Sequence, residues 1–173
     1  MKSTKMLRLA ALLVLVAMTC APAFAAGPFT RICTNPKYVF YFIGDGMGSP
    51  QIHSTEAYLA QLQNPDADGV PMAELLAMSK LSVQGMSTTY ANNRFITGSA
   101  AAGTALAAGE KTNIGVISMD PTAAMPYRTL AEAAKDKGMK VGIISSVSID
   151  HATPAVFYAH QPSRSMYYEI GID

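Results

Sequence analysis

An acid stands between glycines at the end of an apolar run, Tyr38-Val39-Phe40-Tyr41-Phe42-Ile43-Gly44-Asp45-Gly46-Met47-Gly48. A carboxylate adds little stability there, but it can ligate a metal ion or sit beside a phosphate. Gly44, Gly46 and Gly48 permit the tight turns by which main chain approaches such a ligand closely. Asp45 is equally placed to cap the helix expected from about residue 50. The second candidate is Ser99, in Thr97-Gly98-Ser99, which opens an alanine-rich stretch. Free amides and the positive dipole end at a helix N-terminus favour an anion, so a phosphate there would lie beside the hydroxyl. A serine becomes a good nucleophile only with a base or metal nearby; otherwise Ser99 is a plain N-cap.

The third group is His151-Ala152-Thr153-Pro154-Ala155, with Arg164 downstream. His151 and Thr153 alternate on one side of an extended loop, so they share a direction. Carboxylate and threonine oxygens suit a hard cation such as Mg²⁺, and His151 offers either a nitrogen ligand or a hydrogen bond to a metal-bound water. Arg164 offers a planar fork for a phosphate. Taken singly, each has an ordinary alternative: a surface histidine, a capping threonine, a solvated arginine. Two other chemistries fail on spacing. A nucleophile elbow needs glycine two residues either side of the serine, where Thr97 and Ala101 stand, and a dinucleotide fingerprint beginning at Gly44 meets Ser49 in place of its third glycine.

Strands and helices in alternation would carry these groups to one edge. Residues 37–43 and 139–146 read as buried parallel strands without polar alternation, and 81–88 as a third with small and polar interruptions. Ligands in such sheets bind beyond the strands' carboxyl ends, where Asp45 and the 150–153 loop fall. Helices are expected over 50–63, with a Ser49-Pro50 start, over 71–79, over 100–108 and over 127–137, where Gly138 ends an amphipathic pattern. Shorter helices are expected from Pro154 and after Pro162-Ser163-Arg164.

Of the 173 residues, the first 25 read as a signal peptide, and residues 26–36 as a linker. Lys2, Lys5 and Arg8 precede an apolar stretch too short to span a bilayer, and Ala23-Phe24-Ala25 is a small-x-small cleavage site. A periplasmic or extracellular protein is expected. A lipid anchor at Cys20 is disfavoured by the bulky Thr19. Removing the signal takes three basic residues from the 13 and none of the 12 acids, leaving a slight acidic excess. Without clustered Lys and Arg, nucleic acid is not expected as the main partner. Cys33 is then the remaining thiol, so no internal disulfide is expected. There is no second hydrophobic run of membrane-spanning length.

Four blocks together resemble the alkaline phosphatases: Phe42-Ile43-Gly44-Asp45-Gly46-Met47-Gly48, Thr97-Gly98-Ser99-Ala100-Ala101-Ala102-Gly103-Thr104-Ala105, Lys111-Thr112-Asn113, and His151-Ala152-Thr153-Pro154-Ala155 with Ser163-Arg164. They stand in that family's order. The resemblance implies an α/β fold with a doubly wound, mostly parallel sheet between helices, of which residues 37–173 would be the N-terminal part. It implies a Zn²⁺- and Mg²⁺-dependent hydrolysis of phosphate monoesters through a phosphoserine on Ser99, and a homodimer at full length. Asp45 matches the carboxylate shared by a zinc and the magnesium, and Thr153 a magnesium-binding hydroxyl. His151 falls near the magnesium's water shell, where some members have Asp, and Arg164 matches the phosphate clamp. The family's other zinc ligands would lie beyond residue 173, so the chain alone is expected to be inactive. Many members have an acid where Gly98 stands, one that braces the arginine, so a looser Arg164 and weaker phosphate binding are expected. A non-catalytic phosphate-binding module and a related phosphodiesterase or sulfatase are the alternatives.

Overall fold

Caps and breaks in the sequence set several of the helix ends: Gly48, left-handed Gly109, and the pair Thr129 and Glu132. The computed structural model describes residues 36–66 and 74–173. The expected signal peptide 1–25, nearly all of the linker 26–36, Cys20, Cys33 and the first residues of the expected helix 71–79 lie outside the described residues. The chain divides into two units, Met1–Phe42 and Ile43–Asp173. Within the first, residues 36–42 form neither helix nor ladder, and Tyr38, Phe40 and Phe42 are exposed.

The second unit begins with α1 (Ser49–Gln63). Its N-cap is Gly48, not Ser49, and the Gly48 amide donates to the Gln51 side chain at 3.0 Å. Glu56, buried in the middle of α1, accepts from the Leu76 amide at 3.0 Å and from the Ser79 hydroxyl. Those bonds hold the one stretch of the expected helix 71–79 that is helical among the described residues, a 3-10 turn at Met78–Lys80. Further along come α2 (Ser99–Ala108), stopped by left-handed Gly109, α3 (Leu130–Asp136), α4 (Ala152–Ala155) and α5 (Tyr167–Ile172). The amphipathic stretch expected to be helical from 127 starts at 130 because Thr129 and Glu132 form a reciprocal capping box.

The core is built from small residues. Ala100 and Ala107 of α2, Ala152 and Ala155 of α4, and Val156, Ala159, Ile117 and Ile170 are all buried together. Small side chains let α2 approach α4 closely, and at Gly103 the approach is tightest: a β-carbon there would lie 2.9 Å from Val156 Cγ2 and 3.3 Å from Cγ1. Val156 is fully buried and has little room to yield. Gly103→Val is therefore expected to destabilise the chain by about 1–3 kcal/mol, overpacking outweighing a small gain in helix preference. Urea unfolding checks this, and an unshifted midpoint would contradict the packing described.

Buried hydroxyls hold the same core. Thr104 on α2 accepts from the Ser118 amide at 3.0 Å, Ser118 donates to the Val156 carbonyl, and Thr129 donates to the Phe157 carbonyl at 2.9 Å. The Asp120 carboxylate gathers the Thr122 hydroxyl and the Met125 and Ala124 amides, in that order of effect, which hold it down to about 2. Stability from this turn is full above the ordinary value of 3.8 and is lost as pH falls toward 2.

The expected strands 37–43, 81–88 and 139–146 form no ladder among the described residues. The pairings outside helices are three isolated antiparallel bridges, Ala91 with Arg94, Ile117 with Gln161, and Met119 with Pro126. Val83, Met86 and Ile144 are exposed. A parallel strand with apolar side chains on both faces is stable only beside neighbouring strands and under helices, and residue pattern alone does not supply those neighbours. No helix among the described residues is long and apolar enough to cross a membrane.

Candidate functional site

Asp45 lies on a tight turn closed by a bond from the Met47 amide to the Gly44 carbonyl at 3.1 Å, with Gly46 at φ +69°. A side chain is strained in that backbone region, which explains glycine at 46. Asp45 caps no helix, since Gly48 holds that place. Its carboxylate is instead the meeting point of two distant segments. Ser99 Oγ lies 3.1 Å from Oδ1 and 3.0 Å from Oδ2, and Thr153 Oγ1 donates to Oδ2 at 3.0 Å.

Ser99 is the first residue of α2 rather than its cap. Gly98 takes the cap position in extended backbone, and the Ser99 hydroxyl makes no capping bond. The side chain is thus free to face Asp45, with the α2 amides beside it. Thr153 sits in the first turn of α4, and His151 is that helix's N-cap without using its side chain as one. Asp45, Ser99 and Thr153 therefore share one cluster of hydrogen bonds, although they are separated by 54 and 108 positions in sequence.

Arg164 reaches the group by another route. Its amide donates to Gly115 O at 2.6 Å, and Gln161 pairs with Ile117 through two bonds of 2.9 and 3.1 Å, so segment 161–164 is laid against 115–117. Its guanidinium donates through Nη2 to His151 Nε2 at 3.1 Å. Arg164 is thereby tied to the start of α4, two residues from Thr153; its bond is to His151 and not to Asp45 or Ser99. His151 Nδ1 and Asp150 Oδ1 are buried and have no hydrogen-bond partner.

Two contacts behind the site escape sequence reading. His160 Nδ1 lies 2.8 Å from Ser118 O and Nε2 3.0 Å from Glu132 Oε1, so one ring joins the 115–118 segment to α3. Burial opposes ionisation of Glu132, but bonds from Thr129 and His160 outweigh it and hold the carboxyl below its usual range. Neither residue belongs to a recognisable motif, and a 28-position separation leaves no periodic signal.

The donors that meet at Asp45 are oxygens: one carboxylate and two hydroxyls. Among the described residues no group of three or more His, Cys, Asp or Glu side chains gathers.

An α-helix presenting a serine to a distant carboxylate, with a second hydroxyl on the same carboxylate and an arginine tied to the start of α4, gathers groups that can bind an anion. The family described as alkaline phosphatase matches residues 36–173, and the chain belongs to that family. It is 36% identical over 160 residues to streptomycin-6-phosphate phosphatase of Streptomyces griseus, covering 90% of this chain and 33% of that protein. It is 38% identical over 130 residues to alkaline phosphatase 4 of Bacillus subtilis, covering 74% of this chain and 27% of that one. Among solved structures it resembles the cold-active alkaline phosphatase of a psychrophilic Shewanella species, with a TM-score of 0.63 and 37% identity over 74% of this chain and 31% of that one. The Thermus thermophilus alkaline phosphatase gives a TM-score of 0.58 at 27% identity, over 72% of this chain and 25% of that one. The fold is accordingly alkaline-phosphatase-like, and incomplete in this chain. The chain spans about a third or less of the length of the curated relatives it matches.

Proposed function

We propose that the chain carries the nucleophile side of a metal-dependent phosphate monoesterase. The carrying observation is the Ser99 hydroxyl held on the Asp45 carboxylate at 3.0–3.1 Å at the head of α2. Family membership supports phosphatase chemistry, and the contact between Ser99 and Asp45 supports the roles read for them. Ser99 Oγ attacks phosphorus as the ester P–O bond breaks; the Ser99 proton moves to Asp45, the acceptor it already faces, and the departing alkoxide takes up a proton and leaves as the alcohol. Water then cleaves the phosphoserine and releases inorganic phosphate. The α2 amides and the Arg164 guanidinium stabilise charge on the transferring group's outer oxygens.

The residues present fit a hard divalent cation. Ser99 and Thr153 direct their hydroxyl protons at Asp45, which leaves oxygen lone pairs for a metal. Asp45, Thr153 and Ser99 would hold such ions, with His151 beside them. Bound Zn²⁺ and Mg²⁺ would make the hydroxyl easier to ionise and neutralise phosphate charge. Zinc sites need about three or four protein ligands each, more than Asp45, Ser99, Thr153 and His151 offer, so turnover would require further ligands. Secretion by the 1–25 segment and dimerisation of the full-length protein belong to the same reading.

The test is p-nitrophenyl phosphate hydrolysis by the protein expressed from its full reading frame, with and without chelator. Turnover abolished by chelator and restored by Zn²⁺ plus Mg²⁺ is expected. Phosphate binding without turnover would favour the non-catalytic module instead. Gly98 gives a further prediction. Its backbone is extended, and a β-carbon there meets nothing closer than Ile114 Cδ1 at 3.9 Å, so an acid fits. Gly98→Asp is expected to tighten inhibition by inorganic phosphate about threefold or more, by bracing Arg164 with a charge-assisted bond. An unchanged inhibition constant would contradict this.

A further inference from the structure

We propose that His151 is the positioning residue of Arg164, holding the guanidinium as a neutral imidazole that accepts at Nε2 and carries its proton on Nδ1. The inference rests on the reading of Arg164 as the phosphate fork. A guanidinium has donors only, so the 3.1 Å contact between Arg164 Nη2 and His151 Nε2 makes Nε2 the acceptor. That lone pair is then committed to Arg164 and is not offered to a metal ion. The ring proton must sit on Nδ1, which is buried with no partner.

The brace has a rigid base. The His151 amide donates to Ser148 O at 3.0 Å, its carbonyl accepts from Ala155 at 3.0 Å, and the adjacent Ala152 is fully buried. The Arg164 backbone is fixed independently through Gly115 and the neighbouring pairing of Gln161 with Ile117. The main chain therefore sets where the arginine starts, and His151 sets where its guanidinium ends. Nη2 spends one proton on His151, and the remaining donors of the fork stay available for an anion's oxygens.

The chain has two other histidines, His53 and His160, so ring ¹⁵N spectra can be assigned with His151→Gln. Recorded above the titration range of histidine, the wild-type chain is expected to show His151 protonated on Nδ1. In Arg164→Met the ring should shift toward the Nε2-protonated form that free histidine favours in water. A wild-type His151 protonated on Nε2 would overturn the brace. In the protein from its full reading frame, His151→Ala is expected to raise the inhibition constant for inorganic phosphate about fivefold, with KM rising more than kcat falls. His151→Gln, whose side-chain oxygen reaches the same place, should restore phosphate inhibition to within about twofold of wild type. An unchanged inhibition constant in His151→Ala would overturn the positioning role. Absence of any wild-type phosphatase activity would instead overturn the proposed function, and the tautomer spectrum would still decide the brace.

Discussion

Ser99→Ala is expected to lower kcat for phosphate monoesters by about 10⁴-fold or more in the protein expressed from its full reading frame. The change removes the one atom that would carry the phosphoryl group. It leaves its surroundings nearly intact, because Ser99 makes no capping bond and Gly98 begins α2. Alanine also suits a helix's first turn, so the urea midpoint should move by no more than about 0.5 kcal/mol. Loss of turnover with unchanged stability is the signature of a removed nucleophile, and a variant that keeps wild-type turnover would remove that role from Ser99.

Asp45→Ala carries the second large effect, a fall in kcat of about 10²–10⁴-fold. Asp45 is the common acceptor of Ser99 and Thr153, so its loss frees both hydroxyls at once and removes the carboxylate bonded to them. The mutant should need far more added divalent cation for its residual activity, since the charged oxygen donor is gone. Its fold should be little changed, because Asp45 is exposed on its turn and supports no helix end. A cation requirement identical to that of wild type would place the metal elsewhere. Asp45→Asn separates the two roles: it keeps the shape and an acceptor oxygen, but loses the charge.

Those two residues were legible in the sequence because their signals are local. An acid bracketed by glycines after an apolar run, and a serine one position inside an alanine-rich helix, can each be recognised within a few positions. The long helices were legible for similar reasons: Pro50 marks the start of α1, although Gly48 rather than the expected Ser49 caps it, and left-handed Gly109 stops α2. Periodicity placed the amphipathic helix α3 but not its start, which Thr129 and Glu132 decide through side-chain bonds. What could not be read was the pairing of parts. Apolar runs such as 139–146 have strand composition, but the ladder they need depends on partners that no spacing rule supplies. The bond between His151 and Arg164 was equally hidden, since each residue alone has a solvated alternative and it forms only where segment 161–164 is laid against 115–117.

The account stands on Ser99 as the atom that takes the phosphoryl group beside Asp45. The most direct measurement is to mix the protein from its full reading frame with a ³²P-labelled phosphate monoester, quench in acid, and map the labelled peptide. Acid-stable phosphate is expected on the peptide containing Ser99, absent from Ser99→Ala and from enzyme treated with chelator. Active turnover with no covalent label, or with the label on another residue, would contradict it.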